Sequence, residues 1–188
     1  MSSELRNILR RLKPSKCQQQ LKPRALSQLS FLGSSKKSSG KLLYDTTVYI
    51  DILQDRFPQE SDLAVRAADA WHSPATEAEM IALCGLLDPA RPETSRVIER
   101  ITDAIERRPA HRTIVPDRGV WMEAAMLSGI LARLQNYSST DRRRTIIDAL
   151  LFASAKKYGL TILTRNRNDF DFLQQLDPVG KVLFYERI

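Results

Sequence analysis

From Leu42 onwards, short apolar runs alternate with longer amphipathic runs. The short runs predict strands at 42–44, 113–115, 161–163 and 181–185. The longer runs predict helices at 48–53, 61–71, 76–86, from about 93 to 106, 118–134 and 143–158. Strands that alternate with helices pack as a parallel sheet with helices on both faces. The pattern therefore predicts a three-layer α/β fold built on a short parallel sheet.

The first 41 residues follow a different pattern. Leu5, Ile8, Leu9 and Leu12 recur at helical spacing among basic residues, which predicts a short basic amphipathic helix. Residues 14–41 are rich in Ser, Gln and Lys, a composition typical of a flexible linker. We therefore expect a flexible basic arm over 1–41 and one globular domain over 42–188. A tail without a role and an arm that binds RNA or a partner remain open alternatives.

Four acids lie in or beside apolar segments, where a charged carboxylate is costly unless a cation or a hydrogen-bond donor meets it. Asp45 and Asp169 follow predicted strands, and Asp148 lies inside an apolar helix. Glu79 forms a T-x-x-E capping box with Thr76 at the start of the helix over 76–86. Each of Asp45, Glu79 and Asp169 has an ordinary explanation as a cap or turn residue, whereas a mid-helix Asp among apolar neighbours does not. Together the four acids indicate a site for a hard divalent cation, which prefers oxygen ligands.

Charge is divided unevenly between the two segments. Residues 1–41 contain ten Lys or Arg and one acid, which gives +9, while residues 42–188 contain nineteen basic residues and twenty-one acids, which gives −2. The net charge of +7 therefore comes from the arm. A basic nucleic-acid-binding surface on the globular domain is not expected from composition, and any cation at the acidic site must come from a few local arginines.

Other residue types narrow the class of protein. Cys17 and Cys84 have no metal-ligand spacing, so we expect two reduced thiols in a cytoplasmic protein. No apolar stretch reaches the length of about 20 residues that a membrane span needs. Neither His72 nor His111 has the sequence context of a catalytic triad, and no serine stands in a G-x-S-x-G motif.

Four motifs resemble those of PIN-domain ribonucleases, particularly the VapC-type toxins of bacterial toxin–antitoxin pairs. They are LYDTTVYID from Leu43, SPATEAE from Ser73, DALLFASA from Asp148 and LTRNRNDF from Leu163. Their order and spacing match across roughly three-quarters of the chain. The arm lies outside the family pattern, so the resemblance carries no expectation for it.

The resemblance implies a PIN-like fold and Mg²⁺- or Mn²⁺-dependent endonucleolytic cleavage of RNA. By motif position, the acids that bind metal and catalyse are Asp45, Glu79, Asp148 and Asp169. Thr164 and Asn166 fall where the family supports the site by hydrogen bonding. A small antitoxin partner and a homodimer are also implied. The nearest arginines, Arg165, Arg167 and Arg143, are the candidates for binding substrate phosphates.

Several alternatives stay open on the sequence alone. Glu77 could replace Glu79 as the second acid, and Asp171 could supplement Asp169. A housekeeping PIN nuclease or a non-catalytic PIN binding module would share the same motifs. Asp45-Thr46-Thr47 also faintly resembles haloacid-dehalogenase phosphatases, although Thr47 stands where those enzymes need a second Asp.

Overall fold

The computed structural model describes residues 3–33, 40–58 and 69–188. The helices in this part of the chain are α1 (Ser3–Leu12), α2 (Thr46–Leu53), α3 (Pro74–Leu86), α4 (Thr94–Glu106), α5 (Arg118–Leu134), α6 (Ser139–Lys157) and α7 (Arg167–Leu176). The strands are β1 (Leu42–Tyr44), β2 (Ala70–Trp71), β3 (Thr161–Thr164) and β4 (Lys181–Phe184). Short 3-10 turns occur at Pro14–Lys16, Leu26–Gln28 and Ala110–Arg112. No described helix has the length and apolarity needed to cross a membrane.

The four strands form one parallel sheet in the order β2-β1-β3-β4. Successive side chains of a strand point to opposite faces, so neighbouring residues enter different cores. Leu43 and Ile162 pack with α1, α5, α6 and α7 on one face, while Leu42 and Leu163 pack with α2, α3 and α4 on the other. The three-layer α/β fold predicted from the sequence is confirmed.

Two predicted elements differ from the structure on the β2 side of the sheet. Residues 61–68 of the helix predicted over 61–71 lie outside the described part of the chain, and Ala70–Trp71 form a strand because they pair with Leu42 and Leu43. The strand predicted over 113–115 is reduced to one parallel bridge between Thr113 and His72. A 3-10 turn precedes that bridge, and Pro116, which lacks an N–H, follows it three residues later.

The beginning of α3 also differs from the prediction. Ser73 caps this helix by accepting a hydrogen bond from the Ala75 backbone N at 3.3 Å, and Pro74 occupies its first turn. Both residue types favour those positions, so the helix starts two residues before Thr76. Thr76 is fully buried and donates to the Tyr44 carbonyl at 3.4 Å. The predicted T-x-x-E capping box is therefore wrong, and Glu79 lies within the helix.

The basic amphipathic helix predicted near the N-terminus is present as α1, and it packs on α5. Ile8 and Leu12 are each 4% exposed and belong to the main core. Arg11 binds Glu123 of α5 at 2.6 Å and Asp177 at 3.3 Å, and Lys156 of α6 also binds both of these acids. The basic residues of α1 therefore do not all face solvent, because Arg11 neutralises buried acids of the domain.

Residues 14–33 continue across the domain surface. Arg133 donates to the Pro14 carbonyl and Gln135 to the Leu21 carbonyl, each at 3.1 Å. Further along, Phe31 forms a parallel bridge with Phe184 of β4. This packing differs from the expectation of a linker standing away from the domain. The division of the chain at residue 41 stays a prediction, and residues 34–39 of the predicted linker lie outside the described residues.

Docking of α1 predicts unequal effects for two substitutions on that helix. Ile8→Ala should lower the free energy of unfolding by about 2–4 kcal/mol, because it leaves a cavity in the core. Leu9→Ala, at a position 39% exposed, should cost less than about 1 kcal/mol. Urea denaturation followed by circular dichroism measures both. Equal, small effects of the two substitutions would contradict docking of α1.

Candidate metal centre

The carboxyl ends of β1 and β3 place two polar segments side by side. Asp45 follows β1 and caps α2, and the Thr164 to Asn166 segment follows β3 and leads into α7. The two strands are direct neighbours with Tyr44 paired to Leu163. Ligand sites in parallel sheets form at this edge, beyond the carboxyl ends of the strands.

Asp45 is the most buried of the four acids, with 3% of its surface exposed. Its Oδ1 accepts from the Thr46 backbone N at 2.7 Å. Its Oδ2 accepts from the hydroxyls of Thr47 and Thr164, both at 2.7 Å. Burial raises the pKa of the Asp45 carboxyl despite these hydrogen bonds, which act in the opposite direction. Asp45 is therefore held in one orientation by three donors.

Asp148 lies on α6, half-buried and facing the same region. Its pKa is raised well above the usual range, first by burial and then by the charges of Asp45, Asp169 and Glu79. The other three acids therefore lie close enough for their charges to act on Asp148. The sequence-predicted acids are thus brought into mutual electrostatic contact.

Asp169 and Glu79 complete the set from two other helices. Asn166 caps α7, and its Nδ2 donates to Asp169 Oδ2 at 3.0 Å and to Asp148 Oδ2 at 3.3 Å. Tyr137 donates to Asp169 Oδ1 at 2.9 Å. From α3, Glu79 accepts a hydrogen bond from the Thr46 hydroxyl. The side chains of the site therefore come from the segments that follow β1 and β3 and from α2, α3, α6 and α7.

The structure separates Glu79 and Asp169 from the acids considered as their alternatives. Glu77 binds Arg108 at 3.3 Å, whereas Glu79 contacts Thr46 next to Asp45. Asp171 is buried beside Arg24, and its Oδ2 accepts a hydrogen bond from the Arg24 backbone N at 2.9 Å. Both alternatives are therefore engaged by arginines and are not among the charges that raise the pKa of Asp148.

The predicted substrate arginines have different surroundings. Arg165 donates its Nε to the buried Asp51 at 2.7 Å, and 34% of its side chain is exposed. Tyr185 also donates to Asp51, at 2.8 Å. Arg167 is more exposed, at 45%, with one contact of 3.5 Å to Glu186. The side chain of Arg143 lies outside the part of the chain that the structure describes.

Sequence reasoning missed three contributors to this site. Tyr137, Thr46 and Thr47 each donate a hydrogen bond to one of the four acids. No helix is predicted from the sequence over 167–176, where the structure has α7. The Asn166-x-x-Asp169 spacing, followed by buried Phe170 and Leu173 at helical spacing, is the signal that indicates a capped helix here.

Neither histidine is among the described hydrogen-bond partners of the four acids. His72 shares a hydrogen bond between its Nδ1 and the Tyr49 hydroxyl, and burial lowers its pKa to about 4. It is therefore neutral at pH 7 and belongs to a buried cluster in which Arg108 stacks 4.0 Å from the Tyr49 ring centre. His111 is exposed, as expected for an ordinary surface residue.

The donor set suits a hydrated divalent cation. In the described part of the chain, no three acid, histidine or cysteine side chains are positioned to enclose an ion by themselves. Mg²⁺ binds through one or two carboxylates and keeps several of its waters, so direct enclosure is not required. The raised pKa of Asp148 also fits a cation at this place, since a cation relieves the repulsion of Asp148 by the neighbouring carboxylates.

Comparison with known proteins identifies the family. A model of the PIN domain matches residues 42–174, and the chain belongs to this family. No curated protein sequence matches it significantly. The family assignment excludes the haloacid-dehalogenase alternative, and it confirms the resemblance drawn from the four motifs.

Solved structures share the fold at low sequence identity. FitAB bound to an IR36 DNA fragment is 22% identical, with a TM-score of 0.55 over 77% of this chain and 94% of that one. FitAcB from Neisseria gonorrhoeae is 20% identical, with a TM-score of 0.55 over 76% and 96%. VapBC2 from Rickettsia felis, bound to a DNA fragment from its promoter, is 11% identical, with a TM-score of 0.54 over 77% and 98%. At these identities the likeness establishes the fold alone.

The raised pKa of Asp148 predicts that Asp148→Asn stabilises the metal-free protein at pH 8. The Asp148 carboxyl binds its proton more tightly in the folded protein than in the unfolded chain. Its contribution to the free energy of unfolding is therefore lost as the pH rises from the unfolded pKa, about 3.9, through the raised folded pKa. The amide side chain of the Asp148→Asn variant does not ionise, so the variant keeps this part of its stability as the pH rises. Its advantage in the free energy of unfolding should be about 1 kcal/mol or more at pH 8 and should vanish towards pH 4.

Urea denaturation in EDTA at both pH values measures this difference. Asp171→Asn is the matched control, because Asp171 is buried and paired with Arg24. That variant should be less stable than the wild type at pH 8. An Asp148→Asn variant with no advantage at pH 8 would contradict the electrostatic description of the site.

Proposed function

We propose that the protein is a metal-dependent endoribonuclease that hydrolyses RNA phosphodiester bonds. PIN domains are generally nucleases, which supports hydrolysis of a nucleic acid. The observation that carries the proposal is the convergence of Asp45, Glu79, Asp148 and Asp169 at one edge of the sheet. Asn166 donates to both Asp148 and Asp169 there, and the charges of the other three acids contribute to the raised pKa of Asp148. Carboxylates brought this close together fit a site completed by a cation.

Asp45, Glu79, Asp148 and Asp169 would hold Mg²⁺ or Mn²⁺ in this proposal. When bound, such an ion activates a water and neutralises charge on the scissile phosphate. Thr164 and Asn166 are the supporting residues: Thr164 fixes the Asp45 carboxylate, and Asn166 donates to both Asp148 and Asp169. These donors hold the carboxylates in fixed orientations, so little reorganisation is needed when the ion binds.

Arg165, Arg167 and Arg143 are the proposed contacts to substrate phosphates. Arg165 uses its Nε for Asp51, which orients its guanidinium while a third of the side chain stays exposed. Arg167 lies in the first turn of the helix that carries Asp169, and its long contact with Glu186 is at the surface. An exposed ion pair of this kind contributes little, so the guanidinium is available to a phosphate at small cost.

We further propose that the protein is the toxin of a toxin–antitoxin pair in the cytoplasm. The motifs resemble VapC-type toxins, and the fold is shared with FitAB and VapBC structures. A small antitoxin protein and a second copy of the chain are the proposed partners. Cys17 and Cys84 are unpaired thiols, which fits a reducing compartment.

The nuclease proposal predicts that purified protein cleaves RNA only when Mg²⁺ or Mn²⁺ is present. Asp148→Asn should reduce the cleavage rate about a hundredfold or more, because it removes one anionic group from the site. Gel analysis of a mixed cellular RNA pool, with and without EDTA, measures both effects. Asp103→Asn is the matched control, since Asp103 is exposed on α4 and its ion pair among the described residues is with Arg107 of the same helix.

Two results would reject this assignment. Cleavage that persists in excess EDTA would exclude metal dependence, and full activity of Asp148→Asn would exclude the proposed site. A protein that binds Mn²⁺ but cleaves no RNA would instead support the non-catalytic PIN binding module.

The toxin proposal predicts a short neighbouring reading frame that encodes a DNA-binding protein. Expression of the wild-type chain alone should arrest growth of a bacterial host, and co-expression of the neighbour should restore it. Asp148→Asn should leave growth unaffected while retaining the complex in co-purification. Growth that is unimpaired by an active nuclease would favour a housekeeping PIN enzyme.

A further inference from the structure

Arg24 binds the outer side of the helix that carries Asp169. Its backbone N donates to Asp171 Oδ2 at 2.9 Å, its Nε donates to Asp171 Oδ1, and its Nη2 donates to Gln174. The adjacent Lys22 carbonyl accepts from Gln175 at 3.1 Å. Four hydrogen bonds therefore join residues 22–24 to three positions on α7.

These bonds restrain the rotation of α7 about its axis. Asp169 and Asp171 are two residues apart, which places them about 200° apart around an α-helix. Asp171 is 2% exposed and faces the arm, while Asp169 faces Tyr137 and Asn166. A change in the rotation of α7 would move both carboxylates, so fixing Asp171 also fixes the direction of Asp169.

The contact is a feature of this chain rather than of the matched domain. The PIN domain model begins at residue 42, and Arg24 precedes it. Neighbouring arm residues hold the segment in place, because Leu21, Leu29 and Phe31 pack against the main core. Leu32 N donates to the Phe184 carbonyl at 2.7 Å, and Phe184 N donates to the Ser30 carbonyl at 2.8 Å.

We propose that Arg24 is a positioning residue for the acidic site. By binding Asp171 and Gln174 from outside, it holds α7 in the rotation that directs Asp169 towards Asp45 and Asp148. The metal-binding consequence rests on the nuclease function proposed above, whereas the restraint on α7 does not.

The full-length protein and four variants test this inference. Arg24→Ala removes the contact, and Arg24→Lys keeps the charge but loses the planar group that bridges two partners. Asp171→Asn weakens the same contact from the other side, which provides a second variant if Arg24→Ala does not fold. Arg10→Ala is the matched control, since Arg10 is exposed and has no ion pair within the described part of the chain.

The first measurement is amide hydrogen exchange of α7 in the metal-free protein. Arg24→Ala should accelerate exchange over residues 171–176 of α7 at least about tenfold relative to Arg10→Ala, and Arg24→Lys should resemble Arg24→Ala. Unchanged exchange in folded Arg24→Ala and Asp171→Asn would overturn the proposed restraint, whatever the function of the site.

The second measurement is calorimetric titration with Mn²⁺ well below the unfolding temperature. Arg24→Ala should weaken Mn²⁺ binding about tenfold, as expected when a group that orients a ligand is removed. Loss of a positive charge by itself favours binding of a cation, so weaker binding cannot be a simple charge effect. Arg10→Ala should bind Mn²⁺ at least as tightly as the wild type.

The two measurements separate the possible failures. Faster exchange in α7 with unchanged Mn²⁺ affinity would show that Arg24 is only structural and would overturn its positioning role. Failure of the wild type to bind Mn²⁺ would overturn the proposed metal-dependent function. The exchange rates alone would then decide whether Arg24 fixes α7.

Discussion

Repulsion among four carboxylates at one edge of a parallel sheet is the constraint on which the rest of the site depends. At Asp148, burial raises the pKa of the carboxyl first, and the charges of Asp45, Asp169 and Glu79 raise it further. Hydroxyl and amide donors from Thr46, Thr47, Thr164, Asn166 and Tyr137 oppose this repulsion. The fold therefore keeps the acids together through these donors, and Asn166 joins Asp148 to Asp169 by donating to both.

Elements with one strong local signal were predicted well. The apolar runs of β1 and β3 and the long periodic pattern of α5 were found with errors of about one residue. The sequence also singles out the four acids that lie near one another in the structure, because carboxylates beside apolar runs are unusual; their role as a metal site stays a prediction. The beginnings of helices and the edge of the sheet were predicted less well. Ser73 caps α3 in place of Thr76, and Ala70–Trp71 form a strand because they pair with a distant segment.

The arm could not be predicted from composition because its contacts are long-range. Its serines, glutamines and lysines are typical of a linker, yet its polar groups meet specific partners such as Asp171 and Gln135. The separation of charge into a basic arm and a slightly acidic domain is also incomplete in three dimensions. Arg11 and Arg24 neutralise acids counted with the domain, so that part of the arm's charge is not available to a polyanion.

The bridge between Phe31 and Phe184 has a consequence for the behaviour of the protein at high concentration. An outer β-strand with unpaired N–H and C=O groups is a template for another chain, and edge-to-edge pairing of this kind leads to aggregation. Here the Phe184 N–H and carbonyl are already bonded to Ser30 and Leu32, and the Phe31 and Phe184 rings pack 6.0 Å apart. The extended segment that follows Arg24 thus protects β4 from pairing with another chain. A chain that begins at residue 42 would expose this strand edge and should self-associate more readily.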